Sequence, residues 1–522
     1  MSDAERLPAA QRDTERQLPP RSDAERLLAA RVLDALLREN YAHLAARVSA
    51  DGRELRLPGL AVRLVTAPHE PGLVRRVVDP ASGPGLAETL AAVRLVADPR
   101  DDLEALEQEC WAALEARRLH DAVHHEVLAE LRPGPAYHDT LAAFTDHPVY
   151  PLSRARPGLG TEDLRRYAPE FGPAFELRWA RVPRARVTTA GVRPGWWPVS
   201  SDREYDLFPV HPLTAARIGP ADLLPRPYLT VTPTLSMRTV CVLADPATHL
   251  KLPLPTSTLG RRNRRSIVPR TLHDGAIVQR MLASIPELPV ELADEQTYGH
   301  AGDEYLGYLV RRLPAGTAVP VAALLARTPS GRTVIEELAQ DVGDFFDRYL
   351  RMLFALNVRL FVAHGIALET HQQNLSLLLD PNLRALLVKD NDGALVPPDL
   401  PGAAELADRR MVTADPEALA RVFVTITLHL CAGAIAFGLA ERGVLPLGTG
   451  LGMIRDRLAE ALAAHQGPRA DLLRARTLDA DRLPAKAMLT AGTLVGKDRT
   501  GAADINKHYG PPGPNYLRGI AP

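Results

Sequence analysis

The chain has 522 residues, which is too long for one hydrophobic core and predicts two or three domains or subdomains. Apolar residues make up 46% of it and charged residues 24%, as is typical of a soluble globular protein. The formal net charge of −1 supplies no overall field for nucleic acid or an anionic membrane. Cys110, Cys241 and Cys431 lie far apart and in no metal-binding spacing, and no apolar signal core opens the chain, so we expect a cytoplasmic protein.

The first 150 residues combine a short repeat with helices and a few strands. Residues 1–30 contain "SDAERLPAA" and then "SDAERLLAA", and the first copy has too few apolar residues to fold, so we expect a flexible tail. The second copy leads into a helix near Ser22, which has capping-box spacing to Glu25. Short strands such as "LAVRLVTA" and "VRRVVDP" follow, and then a helix over residues 102–131.

The middle of the chain changes from extended to strand-like and then to helical. Residues 151–200 are rich in Pro and Arg, whereas residues 205–260 contain the predicted strands "YLTVTPTL", "MRTVCVLA" and "HLKLPLP". Apolar residues at helical spacing predict a long helix over residues 334–363, ended by a glycine cap at "HGI". The segments "LSLLL", "DPNL" and "RALLV" then predict a β-hairpin, and the rest is mostly helical with a Gly/Pro-rich tail.

One apolar stretch is long enough to span a bilayer. Residues 422–440, "VFVTITLHLCAGAIAFGLA", contain no charge. The stretch does contain Thr425, Thr427 and His429, and charged sequence lies close on both sides. We therefore expect a buried core helix and no membrane partner.

The predicted hairpin decides where a polar stretch lies. If the turn is Asp380–Leu383, then Leu379 pairs with Arg384 and Leu375 pairs with Val388. The same register, continued to the open end, places Asn374 opposite Lys389 and Gln373 opposite Asp390. Opposed residues of an antiparallel pair lie about 4.5–5.5 Å apart. Two groups that are separate in sequence therefore converge: Glu369, His371, Gln373 and Asn374 on one arm, and Lys389, Asp390 and Asp392 on the other.

Two interpretations fit this open end equally well. A carboxylate and an amide held together suit Mg²⁺, which takes oxygen ligands and usually shares substrate phosphates. A neighbouring histidine and lysine are then able to contact those phosphates. Alternatively, the polar side chains only solvate the mouth of the hairpin.

A second polar group precedes the hairpin in sequence. "TPTLSMRTV" places Ser236, Arg238 and Thr239 beside a strand end, Lys251 lies on the next strand, and "PTSTLGRRNRRS" follows. Hydroxyls, a lysine and arginines on neighbouring strands form either a polyphosphate cradle or an exposed polar strand edge. Without interleaved aromatic residues, the basic run 261–265 does not favour nucleic acid. The chain has no GxxxxGK[ST], HExxH or GxSxG motif.

Both polar groups resemble motifs of one known family. "HGIALETHQQN", with the hairpin and "KD" after it, resembles the signature of the IucA/IucC family of siderophore synthetases, which are independent of nonribosomal peptide synthetases. "TLSMRT", followed by "LKLPL" and a Thr/Ser/Arg stretch, resembles the other motif of this family, in the same order and spacing. The resemblance covers roughly residues 140–500.

The resemblance implies an α+β fold likened to a cupped hand, with antiparallel sheet in the fingers and palm and a largely helical C-terminal part. On this chain, it places the flexible tail at 1–30, the thumb at 31–150, the fingers with the phosphate cradle at 151–333, and the palm with the hairpin at 334–522.

The resemblance also implies an activity. Enzymes of this family use ATP and Mg²⁺ to convert a carboxylate, commonly citrate or a citrate derivative, into an acyl adenylate. An amine, hydroxylamine or alcohol then attacks, which releases AMP and leaves an amide or ester. The expected partners are therefore these small molecules, without nucleic acid or membrane, and a homodimer is possible.

Site residues follow from the same resemblance. The catalytic set is His371, Arg238, Lys251 and one arginine of 261–265, for which we choose Arg261. Glu369, Asn374 and Asp390 are expected to serve the metal ion. The residues expected to hold the nucleotide are Ser236, Arg238, Thr239, Lys251, Thr256, Ser257, His371, Gln373, Asn374, Lys389 and Asp390.

The chain departs from the family pattern at two positions. Lys389 stands where the family usually has arginine before the aspartate, and "HPLTAARI" from His211 is a weakened His-Pro-Trp-Gln element. Two other functions remain open. The order "HxxN…D" on a hairpin also occurs in kinases, so a phosphotransferase is an alternative, and a non-catalytic nucleotide-binding homologue is another. Release of AMP and pyrophosphate, rather than ADP, distinguishes the ligase from the phosphotransferase.

Overall fold

The computed structural model of the chain describes residues 22–65, 77–501 and 507–519. The predicted N-terminal tail lies outside the described residues up to position 21, and residues 74–76 of the predicted strand "VRRVVDP" do too. Ser22 caps the first helix, because its Oγ accepts the N–H of Glu25 at 3.3 Å. The tail boundary at residue 30 was therefore wrong, since Leu28 and the alanines after it are buried in that helix.

The N-terminal part is mainly helical and has its own hydrophobic core. The predicted helix over residues 102–131 is confirmed as α3. Glu39 ties the C-terminal chain to this part, because its carboxylate accepts the N–H groups of Leu489 and Thr490 at 3.0 and 2.7 Å. The elements are α1 (Asp23–Arg38), β1 (Glu54–Leu57), β2 (Leu60–Arg63), α2 (Leu86–Arg94), α3 (Leu103–Glu130), α4 (Tyr137–Ala143) and α5 (Thr161–Tyr167).

The middle part is built on a seven-stranded antiparallel sheet with the order β3-β7-β8-β9-β12-β11-β5. The three strands predicted between residues 205 and 260 are confirmed as β7, β8 and β9. The elements are β3 (Phe175–Glu176), β4 (Arg178–Pro183), β5 (Thr188–Ala190), β6 (Tyr205–Val210), α6 (Pro212–Ala215), β7 (Thr230–Pro233), β8 (Thr239–Val242), β9 (Asp245–Lys251), α7 (Pro269–Ala283), β10 (Glu291–Leu292), β11 (Asp294–His300), β12 (Gly307–Arg312) and β13 (Thr317–Pro320).

The C-terminal part packs helices against a four-stranded sheet with the order β10-β15-β14-β13. Its Gly/Pro-rich end, predicted as a tail, forms β17, which pairs with β16. The elements are α8 (Val334–Leu338), α9 (Val342–Arg359), β14 (Leu375–Asp380), β15 (Asn382–Val388), α10 (Pro416–Val422), α11 (Ala434–Glu441), α12 (Leu447–Ala463), α13 (Pro468–Thr477), β16 (Arg482–Lys486), α14 (Lys497–Thr500) and β17 (Tyr509–Pro514).

The long helix predicted over residues 334–363 is divided in two. α8 begins with a capping box between Thr333 and Glu336, and α9 begins at a new cap, Asp341, whose carboxylate accepts the N–H of Asp344 at 2.8 Å. Two start signals so close together favour a break over one continuous helix. The predicted glycine cap is confirmed, because Gly365 ends the helix with φ at 63°.

The hairpin forms with the predicted register over most of its length. Leu375 pairs with Val388, and the N–H of Lys389 donates to the carbonyl of Asn374 at 3.1 Å. The prediction near the turn was wrong, because a bulge after Leu378 pairs Leu379 with Leu383 instead of Arg384. The polar open end of the hairpin therefore lies where the register predicted from the turn placed it.

The apolar stretch 422–440 is a buried core helix, as predicted. It belongs to a continuous helix, Pro416–Glu441, that runs through α10 and α11 with wide π turns between them, and its most apolar window is wholly buried. His429 is satisfied inside this core by the hydroxyl of Tyr516 at 2.9 Å and the carbonyl of Pro484 at 3.0 Å. Both ring nitrogens of His429 thus find hydrogen-bond partners in the C-terminal chain.

Gly260 and Gly492 allow the backbone of the C-terminal chain to pack directly against the backbone of the middle part. Gly260 has φ at 115°, and a Cβ there would lie 2.8 Å from the Cα of Gly492. We expect Gly260→Ala to lower the unfolding free energy by about 1–3 kcal/mol, since it adds backbone strain and a clash. The control, Gly452→Ala, lies in α12 with nothing within 4 Å and should gain about 0.5–1 kcal/mol. Equal melting temperatures for the two variants would contradict this account.

Candidate functional site

A cavity of about 400 Å³ opens between the two large sheets and the N-terminal part. Its volume is in the range of small-molecule sites. Seven of the thirteen residues predicted for the site line it together, although they come from both motifs. These residues are Ser236, Arg238, Glu369, His371, Gln373, Asn374 and Asp390.

The first hairpin arm holds its polar side chains through its own backbone. Nδ1 of His371 accepts the N–H of Gln373 at 3.3 Å, which leaves Nε2 as the donor of the neutral ring. Burial, with Lys486 nearby, lowers the pKa of His371 to about 4, so the ring is neutral at pH 7. Asn374 donates from its amide to the carbonyl of Glu369 at 3.3 Å. The arm thus presents a neutral ring donor and an amide held by the backbone.

The second arm turns Asp390 into the cavity. Asp390 has φ at 66°, a conformation that aspartate adopts more readily than most residues. Its carboxylate forms an ion pair with the ammonium group of Lys251, which also lies 3.2 Å from Asp392. Burial raises the pKa of Asp390, but Lys251, Arg311 and the guanidinium of Arg238 outweigh that effect and hold the pKa well below its usual range. This contact joins the two motifs across 139 residues of chain.

Lys251 and Thr239 lie behind the cavity wall. They face each other on β8 and β9, and only 3% of Lys251 is exposed. The N–H of Thr239 donates to the Oγ of Ser236 at 3.1 Å, and Arg238 donates to the carbonyl of Ser266 at 2.9 Å. Thr239 thereby orients Ser236, while Lys251 acts on the cavity through Asp390.

The Thr/Ser/Arg stretch contributes a different arginine from the predicted one. Arg261 donates to Gln108 at 3.2 Å and lies outside the lining, whereas Arg265 is part of the lining. The side chain of Arg264 forms an ion pair with Glu304 at 2.6 Å, whereas that of the next residue, Arg265, faces the cavity. Among the described residues, nothing accepts a hydrogen bond from the buried Nε of Arg265.

Three further predicted residues do not reach the cavity. Thr256 donates to the carbonyl of Pro157 at 2.9 Å, and Ser257 donates to the carbonyl of Arg261 at 2.8 Å, so both hold the loop. Lys389 is buried on the side of the strand opposite Asp390. Burial lowers its pKa, and the neighbouring Asp139 opposes that shift.

The lining also contains residues that the sequence interpretation missed, among them His147, Lys486 and Lys507. Nδ1 of His147 accepts the N–H of Tyr150 at 2.9 Å, and burial, with His371 nearby, lowers its pKa to about 3. The scarcity of lysine was a usable signal. The chain has five lysines, and Lys497 is exposed whereas the other four lie in or directly behind the cavity wall.

Buried histidines predict that stability rises with pH. Burial lowers their folded-state pKa values to about 3 or 4, while the unfolded chain titrates near 6.5, so between these values the unfolded state binds more protons. We therefore expect the melting temperature to fall from pH 7 to pH 5. Each histidine lowers the free energy of unfolding by at most about 1.4 kcal/mol per unit of difference between its two pKa values. These histidines are His147, His211, His249, His371 and His429.

A single variant checks this pH dependence. His211 caps α6 through Nδ1, which accepts the N–H of Leu213 at 3.2 Å. Asparagine is also a good cap, so His211→Asn keeps the hydrogen bond and removes the titrating ring. Its melting temperature should depend less steeply on pH than that of the wild type. Identical slopes, measured by circular dichroism at constant ionic strength, would count against the prediction.

Carboxylates suited to a hard cation lie along one side of the cavity. Asp390, Asp392 and Glu369 all line it, and Glu369 packs so closely on Gly393 that a Cβ there would lie 2.2 Å from its Oε2. Within the described ranges, no three His, Cys, Asp or Glu side chains form a group able to hold a metal ion by themselves. This donor set fits a magnesium ion that shares ligands with substrate phosphates, not one enclosed by protein alone.

Two family models match the chain. The model described as IucA / IucC family matches residues 139–326, which include the first motif and one wall of the cavity. A model described as ferric iron reductase FhuF-like transporter matches residues 343–501, which include the hairpin. The two matches cover different parts of the chain and meet at the cavity.

Curated proteins and a solved structure are similar to the chain over different lengths. An uncharacterized protein, y4xN of Sinorhizobium fredii, is 26% identical over 56% of this chain and 57% of its own length. Staphyloferrin A synthase of Staphylococcus aureus is 24% identical over 48% of this chain and 51% of its own. The chain therefore spans about half the length of the curated relatives that it matches.

The structure of ATP-bound aerobactin synthetase IucA from Klebsiella pneumoniae has the same fold. It aligns with a TM-score of 0.71 and 15% identity, covering 94% of this chain and 99% of that one. The predicted α+β, multi-subdomain fold is confirmed by this match. The predicted boundaries of thumb, fingers and palm stay a prediction, and Leu489 and Leu494 from the end of the chain pack in the N-terminal core.

Proposed function

We propose that the chain is a member of the IucA/IucC family and an ATP-dependent ligase of siderophore biosynthesis, because the family model matches residues 139–326 and staphyloferrin A synthase is similar to the chain. It adenylates a carboxylate and transfers the acyl group to an amine, hydroxylamine or alcohol, with release of AMP and pyrophosphate. The observation that carries this proposal is the contact between Lys251 and Asp390, because it brings both motifs to one cavity. Adenylation needs such a site, with cations for phosphate and carboxylates for a metal ion.

The phosphate half of the reaction is assigned to the two motif segments. Ser236, Arg238 and His371 supply a hydroxyl, a guanidinium and a neutral ring donor to the triphosphate from one side of the cavity. Hydrogen bonds from charged donors to phosphate are the strongest of these contacts. Arg238 is fixed by the carbonyl of Ser266, so its guanidinium is already oriented before the nucleotide binds.

The metal ion is assigned to one or two of the carboxylates Asp390, Asp392 and Glu369, which line the cavity, with the amide of Asn374 beside them. Bound Mg²⁺ neutralises charge that develops on the leaving pyrophosphate. Lys251 pairs with two of these carboxylates and compensates their repulsion when no metal ion is bound. Magnesium is expected to take one or two carboxylates and to share the phosphates.

The carboxylate substrate is assigned to the cationic side of the same cavity. Arg265 has a buried Nε without an acceptor among the described residues, and Lys486 and Lys507 line the cavity with it. Burial, with Arg238 nearby, lowers the pKa of Arg265 to about 9, and an anionic substrate group beside it would stabilise its charge. A tricarboxylate of the citrate type supplies several such groups, and we propose this class of substrate.

The cellular compartment follows from the cysteines. Cys110, Cys241 and Cys431 are all free and buried. A reducing compartment keeps such thiols as they are, and we place the enzyme in the cytoplasm.

The test is an assay that needs no knowledge of the natural nucleophile. The purified protein is incubated with ATP, Mg²⁺ and hydroxylamine against a panel of dicarboxylates and tricarboxylates, and pyrophosphate and hydroxamate are measured. Signal with citrate supports both the ligase and the substrate class. Signal with a different acid keeps the reaction and changes the substrate.

Two results would overturn the proposal. Release of ADP instead of pyrophosphate would identify a phosphotransferase. ATP binding without any product across the panel would identify a non-catalytic nucleotide-binding protein. Pyrophosphate release that depends on the added carboxylate therefore distinguishes a ligase from a phosphotransferase and from a non-catalytic nucleotide-binding protein.

A further inference from the structure

We infer that Glu295, a residue outside both motifs, is a positioning residue that holds Asp390 in the conformation needed to bind the metal ion. This inference rests on the proposed function, because Asp390 is assigned there to the metal ion. It adds a residue that neither composition nor motif spacing indicated.

Glu295 contacts Asp390 through the backbone. Its Oε1 and Oε2 accept the N–H of Asp390 at 3.0 and 3.2 Å. Asp390 has φ at 66°, and such a conformation persists in a residue other than glycine only when its surroundings hold it. The carboxylate of Glu295 supplies that restraint at a residue whose side chain joins Lys251 to the cavity.

A buried arginine holds the side chain of Glu295 in place. Arg311 donates from Nε to Oε1 of Glu295 at 2.5 Å, and a terminal nitrogen of the same guanidinium lies 3.8 Å from Oδ2 of Asp390. Only 1% of Glu295 and 4% of Arg311 are exposed. A buried ion pair is costly to form and contributes little net stability, so its value here lies in the geometry that it imposes.

The fold places Glu295 where the two large sheets meet. β10 pairs with β15 in the four-stranded sheet, and the chain then enters β11 of the seven-stranded sheet. β11 carries one extra residue between Asp294 and Thr297, and such bulges redirect side chains beside active sites. Gln279 fixes the bulge, because its side-chain oxygen accepts the N–H of Glu295 at 2.8 Å. Glu295 thereby couples the end of β15 to β12.

The experiment measures ATP binding by calorimetry with and without Mg²⁺ for the wild type, Glu295→Gln and a double variant, Glu295→Gln with Arg311→Gln. The single substitution leaves the buried guanidinium of Arg311 without its partner, which by itself destabilises the fold, and the double variant removes that cation. The double variant therefore distinguishes a loss of stability from a loss of positioning of Asp390. The matched control is Glu291→Gln, which removes a carboxylate four residues earlier that lies 3.6 Å from Arg384 at the surface.

The expected result is a selective loss of the magnesium effect. Both Glu295 variants should bind ATP alone as the wild type does, and should lose about 10–100-fold of the tightening that Mg²⁺ produces. Carboxylate-dependent turnover should fall with unchanged KM for the carboxylate, whereas Glu291→Gln should match the wild type. A purely structural role would lower the melting temperature of the single variant and leave the magnesium effect intact in the double variant.

Other outcomes are equally decisive. An unchanged magnesium effect in both Glu295 variants overturns the inference, as does failure of both variants to fold. A wild type that shows no magnesium effect on ATP binding overturns it too. A wild type that binds ATP with Mg²⁺ but forms no product refutes the proposed function, while the binding comparison still tests Glu295.

Discussion

Replacing Asp390 with asparagine is expected to lower carboxylate-dependent pyrophosphate release by about 10²–10³-fold. Asparagine also adopts the left-handed backbone conformation, so the chain path at this residue is retained. What is lost is the charge that the Lys251 ion pair balances and that the proposed metal ion needs. Pyrophosphate release is measured at saturating ATP over a range of Mg²⁺ concentrations.

The control for this variant is Asp399→Asn, which changes an exposed aspartate after the same hairpin. It should keep the activity of the wild type. Excess Mg²⁺ should not restore Asp390→Asn, because a carboxamide is a much weaker ligand than a carboxylate. Full adenylation by a folded Asp390→Asn protein would refute the role assigned to this residue and weaken the ligase proposal.

Replacing Arg265 with alanine is expected to lower kcat/KM for the carboxylate by about 10–100-fold, the equivalent of one or two charged hydrogen bonds. The loss should appear mainly in the KM for the carboxylate, because Arg265 is assigned to that substrate. The KM for ATP should change much less, since Arg238 and the hairpin residues are assigned to the phosphates.

Arg261→Ala is the matched control, because it removes the neighbouring arginine that was predicted from sequence. Its guanidinium contacts Gln108 outside the cavity lining, so the kinetic constants should stay near those of the wild type. The reverse result, with Arg261→Ala impaired and Arg265→Ala unaffected, would contradict the assignment made from the structure.

The hairpin was predictable because local rules determine it. The turn "DPNL" between "LSLLL" and "RALLV" sets the pairing of Leu375 with Val388, and the polar arms follow from that register. The pairing next to the turn was not predictable, since the bulge after Leu378 depends on how the turn closes. The start of the first helix was also predictable from local sequence, because the cap residue Ser22 accepts a hydrogen bond from a residue only three positions away.

The direction of individual side chains was less predictable. The run 261–265 contains four arginines, and the sequence offers no reason to prefer Arg265. Its inward direction follows from the path of the loop, in which the N–H of Arg265 donates to the carbonyl of Thr256 at 2.9 Å. Lys389 shows the same effect, because it lies on the opposite side of the chain from Asp390 and is buried there.

The sequence by itself determined the class of the protein, several of its helices and strands, the hairpin and the two motifs, because each depends on composition or on neighbours within a few residues. Only the tertiary structure decided that Lys251 meets Asp390, that Glu295 holds the backbone of Asp390, and that residues 489–494 return to the N-terminal core. Those contacts join segments that are 95 to 450 residues apart. They depend on how two sheets and a helical part pack together, and backbone periodicity carries no information about that packing.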